Sequence, residues 1–279
     1  FFMKHIDFNP TKKEIDFYRD NGYLVIEDVF SSEDCDSAVS IYEKYAKPDF
    51  RGIMNLERGV IEYHEIRDGT EEIEEISVAD SDAETIWNVI RYPVIAETLY
   101  ALQEDEVMYL QSMFLFKKVR SRYAKQAWWP HQDNAYPQAP QSMYITGNIC
   151  FSDQSPENGG MYIFPGSHRE PLLPFESMKS FHEKEGENPG HKVAVPPQYR
   201  KVDLYMKQGS VLFLHGHVIH GSYPNNSPVH SRPMLLIPYG SKGISSQQNF
   251  LKGRVGRREE HSLHDDWRTA FGKKKKEIA

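Results

Sequence analysis

Two residues of one short segment have the types and the spacing of metal ligands. The segment WPHQD at 129–133 places His131 and Asp133 two positions apart. On an extended chain, residues i and i+2 point to the same side, so the imidazole and the carboxylate converge on one point. Together with a distant histidine, such a pair forms the facial triad of non-haem Fe(II) oxygenases. A tripeptide of this kind has little specificity alone, so a third ligand must support the interpretation.

A second segment, SVLFLHGHVIHGSYPNNSPVHSR, supplies that histidine. His220 ends an apolar run and precedes a Gly-Ser and Pro-Asn turn, a position from which a ligand faces the mouth of a barrel. Arg232 follows twelve residues later, and we expect a hairpin to return it beside His220. A guanidinium there grips a carboxylate with two parallel hydrogen bonds. A metal triad with a carboxylate clamp is what a bidentate 2-oxoacid cosubstrate requires.

The same segment holds a rival pair, His215 and His217. Strand alternation places both away from His220 unless a bulge intervenes, so we expect them to lie outside the metal site. His168, in the segment PGSH, is expected to shape a turn or to line the pocket rim.

The elements that position these residues are predicted to be short strands. From residue 106 onward, β-branched, aromatic and aliphatic runs alternate with Gly, Pro, Asn and Asp. Strands at this spacing without intervening helices indicate a sandwich or a jelly roll. Residues 170–200 are polar and lack periodicity, which is typical of lids, binding loops or disordered segments. We therefore predict a β core at 106–240 with a lid-like insertion at 170–200.

The N-terminal residues 1–105 are predicted to be mostly helical, with one strand. An acidic run over 65–86 is interpreted as a solvated face or a loop. The other predicted elements are a helix from a capping box at Thr11–Glu14 to Gly22, a strand at 23–30, a helix at about 33–46 capped by Ser32, a helix at about 83–103, and a C-terminal helix with a basic tail over 241–279.

Longer motifs extend around the candidate ligands in a specific order. They are WPHQDNAYPQ, then CFSDQSPENGGMYIFPGSH, then GSVLFLHGHVIHGSYPNNSPVHSRP, and they follow the opening FYRDNGYLVIEDVFSSEDCD. This order resembles the phytanoyl-CoA dioxygenase family of Fe(II)- and 2-oxoglutarate-dependent oxygenases over residues 14–240. The resemblance implies a mainly β (α+β) fold with a double-stranded β-helix, or jelly-roll, core and helices packed outside. It also implies one domain over residues 1–279.

The resemblance further implies the roles of the candidate residues. Iron(II) is held by His131, Asp133 and His220, Arg232 binds the far carboxylate of 2-oxoglutarate, and O₂ is the oxidant. Related halogenases lack the carboxylate at the position of Asp133, so hydroxylation of a C–H bond is the expected outcome, with desaturation or ring chemistry as alternatives.

Three further positions are matched to cosubstrate contacts. Gln111 lies where relatives such as the ectoine hydroxylases place a cosubstrate-contacting glutamine. Thr146 matches a hydroxyl position on the neighbouring strand, and Asn148 is its alternative on the same face. For each of them, the alternative is an ordinary inward-facing strand residue.

Aromatic and basic residues near the HxD segment are candidates for contact with the substrate. Trp128, Trp129 and Tyr136 either fill the core or contact the substrate. Lys117 belongs to a basic group that either forms a rim attracting an anionic substrate or lies on a solvated hairpin. That group is Lys117, Lys118, Arg120, Arg122 and Lys125.

Composition limits the class of protein and its partners. The hydrophobic fraction of 39% and the aromatic fraction of 13% exclude a disordered chain. A net charge of −7 argues against nucleic acid as the main partner, and no apolar run is long enough to span a membrane. Two cysteines and the absence of a secretory signal pattern predict a cytoplasmic protein. The oligomeric state stays open.

Three functional hypotheses follow from these observations. The first is an oxygenase of a small metabolite, which carries an anionic group if the basic rim exists. The second is an oxygenase of an acyl-CoA or carrier-tethered substrate. The third is a non-catalytic jelly-roll module that has kept a metal site. The complete ligand set and the arginine argue against the third hypothesis.

Overall fold

Helices precede most of the strands in the computed structural model, which describes residues 8–45, 52–55, 59–67, 70–121, 123–178 and 190–244. The predicted C-terminal helix and basic tail therefore lie outside the described residues, apart from 241–244. The four helices are α1 (Lys12–Asn21), α2 (Ser32–Tyr45), α3 (Asp80–Ile90) and α4 (Pro93–Gln103).

Fifteen strands are present in the described part of the chain, most of them short. They are β1 (Tyr23–Ile26), β2 (Gly52–Asn55), β3 (Val60–Arg67), β4 (Thr70–Ser77), β5 (Val107–Tyr109), β6 (Ser112–Lys117), β7 (Trp128–His131), β8 (Tyr144–Cys150), β9 (Met161–Ile163), β10 (Phe175–Met178), β11 (Gly190–Val193), β12 (Val202–Asp203), β13 (Val211–His215), β14 (His220–Ser222) and β15 (Arg232–Ser241).

The predicted capping box opens α1. The Thr11 side chain accepts a hydrogen bond from the Glu14 backbone N–H, and the Glu14 carboxylate accepts one from the Thr11 N–H. Gly22 ends the helix with a left-handed φ of 79°. The cap of α2 is Ser31 rather than the predicted Ser32, because the Ser31 hydroxyl accepts the Asp34 N–H.

The predicted helix at 83–103 is two helices. Pro93 has no backbone N–H and fits the first turn of a helix, so a new helix begins there after α3 has ended. The two helices pack separately onto the sheet through residues such as Ile90 and Leu99.

The N-terminal part contains three strands that the sequence did not predict, β2, β3 and β4. Strands β3 and β4 pair along their whole lengths as a hairpin, and β2 joins them to the main sheet through β6. Ile61 and Tyr63 point into the core, whereas Glu74 and Glu75 are exposed. The acidic run at 65–86 is therefore solvated, as one of the two interpretations had it, but it forms β4 and the start of α3 rather than a loop.

Two sheets face each other around the core. The larger one has the strand order β1-β13-β8-β15-β6-β2-β3-β4, with β5 also paired to β15, and the smaller one has the order β12-β9-β14-β7. Strands β10 and β11 form a separate hairpin within the predicted insertion. Antiparallel pairing throughout the two sheets gives the predicted jelly-roll architecture with helices on its outer side.

Alternation along the strands separates an inner and an outer apolar layer. Leu212 and Leu214 of β13 point between the sheets, while Val211 and Phe213 pack against the helices. Strand β8 is buried at every residue because both of its faces are covered. The inner layer contains Leu115, Cys150, Met161, Ile163, Leu204, Met206, Leu212, Leu214, Val218 and Met234.

A buried group of histidines joins α1 to the end of β13. The His168 ring lies 5.2 Å from the His215 ring, and His217 donates its backbone N–H to the His215 Nδ1 at 3.0 Å. Because Nδ1 of His215 is an acceptor, this imidazole is neutral, and its Nε2 faces the Ser142 hydroxyl at 3.1 Å. Burial, followed by the neighbouring His168 and His217, lowers the pKa of His215 to about 3.

This burial predicts an acid-sensitive fold. Below about pH 6.5 the unfolded His215 binds a proton that the folded imidazole excludes, so stability present above that pH falls as the pH approaches 3. His215→Gln is expected to reduce the slope of unfolding free energy against pH by up to about 1.4 kcal/mol per pH unit. Urea unfolding over this pH range measures the slope, with exposed His230→Gln as the control. An unchanged slope in His215→Gln contradicts the prediction.

Candidate metal centre

Two paired strands bring the predicted histidine ligands together. His131 ends β7, His220 begins β14, and the two residues are direct partners in the antiparallel ladder. Their ring centroids are 4.4 Å apart. Asp133 begins the short 3₁₀ turn after β7, and its Oδ1 lies 3.4 Å from Nε2 of His131 and 3.6 Å from Nε2 of His220. One ligand atom of each residue lies within 4.8 Å of the others.

The position of His220 corrects one sequence prediction. The apolar run that contains it is two strands, because the chain turns at Gly216 and passes from the larger sheet into the smaller one. His220 therefore begins a strand instead of ending one. Strands β14 and β15 lie in opposite sheets, so Arg232 does not return through a hairpin and instead pairs with Lys117 of β6.

Hydrogen bonds set the tautomers of both imidazoles. Nδ1 of His131 contacts the Trp129 carbonyl at 2.7 Å, and Nδ1 of His220 contacts the Val218 carbonyl at 3.1 Å. A carbonyl only accepts, so each Nδ1 carries the proton and each Nε2 keeps its lone pair for a metal. The donor set of two imidazoles and one carboxylate fits iron(II).

The protonation states also suit metal binding. Burial favours a raised pKa for Asp133, but His220, His131 and the Thr146 hydroxyl outweigh burial and lower that pKa to about 2. Burial lowers the pKa of His220 to about 4 in spite of the neighbouring carboxylate. At neutral pH the site therefore presents an ionised carboxylate and a neutral imidazole, the forms that coordinate metals.

Thr146 orients the carboxylate. Its hydroxyl donates to Oδ2 of Asp133 at 3.0 Å, which leaves Oδ1 facing the two imidazoles. Asn148 lies two residues further along β8 on the same face, with long contacts of 3.4 Å to the Thr146 hydroxyl and to the Leu212 carbonyl. Of these two residues, Thr146 is therefore the one that contacts a candidate metal ligand directly.

Two unsatisfied acceptors lie on the inner side of the larger sheet. The buried Oδ1 of Asn148 and the buried Oε1 of Gln111 accept no hydrogen bond within the described part of the chain. Gln111 lies directly before β6, whose Met113 and Leu115 point between the sheets. Both side chains therefore have unused capacity to bind a donor between the sheets.

Two buried cations lie side by side at the other end of the same space. Lys117 and Arg232 are direct partners across β6 and β15, and they are 0% and 1% exposed. Neither forms an ion pair with a carboxylate among the described residues. Burial, and then the charge of Arg232, holds the pKa of Lys117 well below its usual range. Two unpaired cations at this depth define a site for an anion.

The position of Lys117 corrects the predicted basic rim. Its neighbours in the sequence are at the surface, where Lys118 pairs with Glu43 at 2.8 Å. Lys117 itself points inward because β6 alternates, and its Nζ contacts the Ser222 hydroxyl at 2.9 Å. The composition of this basic segment therefore gave no indication that Lys117 is buried.

Sequence reasoning missed two residues that hold this cationic site. The Gly159 carbonyl accepts a hydrogen bond from Arg232 Nε at 3.0 Å and lies 3.5 Å from Lys117 Nζ. Gly159 has a φ of 89°, and a Cβ there would approach the Lys117 side chain to 2.7 Å. Ser222 follows His220 by two residues on β14. That spacing was a usable signal, because it places both side chains on the same face.

The spacing along β14 relates the two ends of the site. Two strand residues span about 6.7 Å, so the backbone of Ser222, whose hydroxyl contacts Lys117, lies about that far from the backbone of His220. The candidate metal ligand and the residue beside the cations are therefore neighbours on one face of one strand.

The aromatic candidates occupy different surroundings. Trp128 is half-buried, and its ring lies 5.9 Å from the His131 ring. Trp129 is 44% exposed, with the Lys192 ammonium 5.5 Å from its ring centroid. Tyr136 packs on His191 of β11, with ring centroids 4.6 Å apart. The β10–β11 hairpin thus covers the strand that carries the HxD segment.

The rival histidines lie outside the metal group, as expected. His217 Nε2 accepts a hydrogen bond from the Asn134 amide at 2.7 Å, and its Nδ1 donates to the Glu170 carbonyl. His168 lies in the 3₁₀ turn after β9 and contacts the Arg19 carbonyl. These contacts fix the turns around the centre.

A jelly roll with a buried two-histidine, one-carboxylate centre and a paired-cation pocket defines a non-haem iron oxygenase that uses a 2-oxoacid. The phytanoyl-CoA dioxygenase family model matches residues 18–234. The chain belongs to this family, and it is therefore an Fe(II)- and 2-oxoglutarate-dependent oxygenase. The family, the fold class, the enzyme class and the cofactors predicted from the sequence are confirmed.

Curated relatives are distant in sequence. The chain is 25% identical over 251 residues to the peroxisomal phytanoyl-CoA dioxygenase of Rattus norvegicus, covering 85% of this chain and 72% of that enzyme. The corresponding Mus musculus enzyme is covered over 64% of its length at 24% identity. The ectoine dioxygenase of Bordetella bronchiseptica is 22% identical over 260 residues, covering 89% of this chain and 80% of that enzyme.

Solved structures share the fold. The epimerase SnoN in complex with Fe³⁺, alpha ketoglutarate and nogalamycin RO has a TM-score of 0.63 at 17% identity, over 88% of this chain and 90% of SnoN. HygX from Streptomyces hygroscopicus with nickel and 2-oxoglutarate has a TM-score of 0.60 at 15% identity, over 86% and 90%. None of the described helices has the length and hydrophobicity needed to span a lipid bilayer.

The Thr146 contact predicts an effect on metal affinity. Thr146→Val removes the donor to Asp133 and is expected to weaken Co(II) binding about ten- to hundredfold, because the carboxylate is no longer oriented. Absorbance titration of the metal-free protein with Co(II) under nitrogen measures the affinity. Thr146→Ser keeps the hydroxyl and is expected to bind as the wild type does. Equal affinity of the Val variant and the wild type contradicts the prediction.

Proposed function

We propose that the protein hydroxylates an unactivated C–H bond of a small metabolite at an iron held by His131, Asp133 and His220. The single observation that carries this assignment is the convergence of two Nε2 lone pairs and one ionised carboxylate oxygen within 4.8 Å. Iron bound there supplies oxidative decarboxylation of 2-oxoglutarate coupled to oxidation of the substrate. One domain over residues 1–279 carries the site.

In this proposal, Arg232 and Lys117 bind the far carboxylate of 2-oxoglutarate. The anion compensates two buried positive charges, and the Ser222 hydroxyl and the Gly159 carbonyl hold the cations in place. The sequence predicted that Lys117 contacts the substrate. In this proposal it contacts the cosubstrate instead. Gln111 and Asn148, with their free acceptors, and Thr146 line the space between the carboxylate pocket and the metal.

The role of the chain in the reaction is orientation and exclusion of water. The inner apolar layer, including Met161, Ile163 and Met234, surrounds the cosubstrate space and keeps it dry. Because the dielectric constant is low where water is excluded, the attraction between the carboxylate and the two cations is stronger there. The Nδ1 hydrogen bonds of His131 and His220 hold the imidazoles in one orientation while ligands exchange at the metal.

We propose that the substrate enters beside β7 and contacts Trp128, Trp129 and Tyr136. This side is bounded by the β10–β11 hairpin, where His191 packs between Tyr136 and Phe175, with ring centroids at 4.6 and 4.2 Å. Lys192 beside Trp129 replaces Lys117 as support for an anionic substrate. The protein is proposed to work in the cytoplasm, without nucleic acid or membrane as a partner.

The second candidate function is oxidation of an acyl-CoA or carrier-tethered substrate. It is supported by the names of the mammalian relatives, which are phytanoyl-CoA dioxygenases. The filled apolar layer between the sheets favours the small metabolite, because a long acyl chain has to lie outside it. The two candidate functions are distinguished by adding a series of metabolites and a series of acyl-CoA compounds and measuring which of them stimulate succinate formation.

The metal ligands are tested by succinate formation. Purified protein with Fe(II), O₂ and 2-oxoglutarate is expected to form succinate slowly without substrate. His131→Ala, Asp133→Ala and His220→Ala are each expected to abolish it, because two ligands do not hold the metal. Succinate measured by chromatography is the readout, and exposed His230→Gln is the control that keeps activity. Unchanged turnover in any of the three variants contradicts the assignment.

The two cations are tested by the requirement for 2-oxoglutarate. Arg232→Gln and Lys117→Met are each expected to raise the apparent KM for 2-oxoglutarate roughly thirtyfold or more, because truncating a buried charged contact costs at least about 2 kcal/mol. Lys118→Met removes a surface lysine paired with Glu43 and serves as the matched control. Thermal unfolding identifies variants that fail to fold. An unchanged KM in a folded variant means that another residue binds the carboxylate.

A further inference from the structure

His217 forms a hydrogen bond through each of its four polar groups. Its Nδ1 donates to the Glu170 carbonyl at 3.0 Å, and its Nε2 accepts from the Asn134 amide at 2.7 Å. Its backbone N–H donates to Nδ1 of His215, and its backbone carbonyl accepts from the Gln132 amide at 2.9 Å. The residue is 4% exposed. An imidazole used completely at this depth has one orientation and one tautomer.

The two partners of His217 that contribute side-chain amides stand on either side of Asp133 in the sequence. Asn134 is held most closely, because its backbone N–H also donates to the Gly216 carbonyl at 2.8 Å. Its amide is oriented independently by Ala139, whose N–H and carbonyl it contacts at 3.0 and 2.8 Å. The turn that carries His217 therefore fixes both the main chain and the side chain of the residue after Asp133.

Gln132 fixes the residue before Asp133. It is completely buried, and its amide donates to the Pro171 carbonyl at 3.1 Å as well as to the His217 carbonyl. Its Oε1 accepts the Leu173 N–H at 2.8 Å. Neither this amide nor that of Asn134 is bonded to a candidate metal ligand, so both act on Asp133 through the main chain.

Glu170, the acceptor of the His217 Nδ1 proton, is also held in place. Its carboxylate accepts hydrogen bonds from the Tyr199 hydroxyl at 2.7 Å and from the Gln198 amide at 3.1 Å. These bonds join the two ends of the segment 170–200. The imidazole of His217 therefore connects the base of that segment to the chain on both sides of Asp133.

We propose that His217 is a positioning residue, which sets the direction of the Asp133 carboxylate by fixing the main chain before and after it. The inference rests on the proposed function, in which Asp133 holds the iron. Thr146 acts on the same carboxylate from its other side, through Oδ2. A residue that only filled the turn after β13 would change stability when replaced, but it would not change the metal complex of the folded protein.

Two substitutions of His217 test the positioning role. His217→Leu removes both side-chain hydrogen bonds, whereas His217→Gln keeps a donor and an acceptor on its terminal amide. We expect the Leu variant to bind Co(II) about tenfold or more weakly than the wild type, and the Gln variant to recover most of the affinity. Absorbance titration of the metal-free protein with Co(II) under nitrogen measures the affinity. The visible spectrum of the saturated complex reports the ligand geometry, and it is expected to change in the Leu variant and to return in the Gln variant.

A control variant separates positioning from a loss of stability. Ile95→Val removes a buried methyl group in α4, on the helical side of the larger sheet, and is expected to leave the Co(II) affinity and spectrum unchanged. Thermal unfolding identifies variants that fail to fold, and His217→Phe, which keeps a planar ring, replaces the Leu variant if that one fails. Wild-type affinity and spectrum in the folded variant without hydrogen bonds overturn the positioning role. Equal impairment of the Gln variant overturns it as well.

Succinate formation by the same proteins separates this inference from the proposed function. At saturating Fe(II), the Leu variant is expected to form succinate more slowly with an unchanged apparent KM for 2-oxoglutarate, because Arg232 and Lys117 are intact. A raised KM with wild-type Co(II) affinity overturns the positioning role alone. A wild type that binds Co(II) but forms no succinate overturns the proposed function, and the Co(II) titrations then decide the positioning role. A wild type that binds no Co(II) overturns both.

Discussion

The pairing of β7 with β14 is the constraint on which the rest of the site depends. It sets His131 opposite His220, and the chain after β7 turns at once so that Asp133 faces both imidazoles. Gly221, between His220 and Ser222, permits this pairing, because a Cβ there would lie 2.4 Å from the Trp128 carbonyl and 2.3 Å from the Tyr162 hydroxyl. One short antiparallel ladder thus supplies the metal ligands, the serine beside the cations and the indole beside the imidazole.

Burial of two positive charges without a carboxylate partner is costly for the folded chain. Lys117 donates to neutral oxygens, and Arg232 donates its Nε to the Gly159 carbonyl and contacts the Met234 sulfur, so no group among the described residues neutralises either charge. The lowered pKa of Lys117 expresses this cost. In the proposed function a bound dicarboxylate compensates these charges, so cosubstrate binding is expected to stabilise the fold. Buried positive charge that no carboxylate among the described residues compensates indicates a binding site for an anion more clearly than a surface patch of the same charge does.

Local spacing in the sequence was sufficient to predict that the proposed ligands converge, but not the arrangement around them. His131 and Asp133 were predictable because both depend on a few consecutive residues, and the capping box at Thr11 was predictable for the same reason. Whether β14 continues β13 or joins the other sheet depends on a turn and on distant partners, which periodicity does not encode. The inward direction of Lys117 depends on the register between β6 and β15. The β3–β4 hairpin was missed because β4 has acidic residues on both faces and no clear apolar alternation, while the buried Ile61 and Tyr63 belong to its partner β3.

The filled interior determines where a substrate has to be oxidised. Between the sheets, methionine, leucine and isoleucine side chains pack into one apolar cluster, which favours a substrate site outside that cluster. In the proposed function, the substrate approaches the metal along β7, between Trp128 and the hairpin that carries His191. In the proposed function, substrate selection therefore depends on the side chains that flank His131 on this strand.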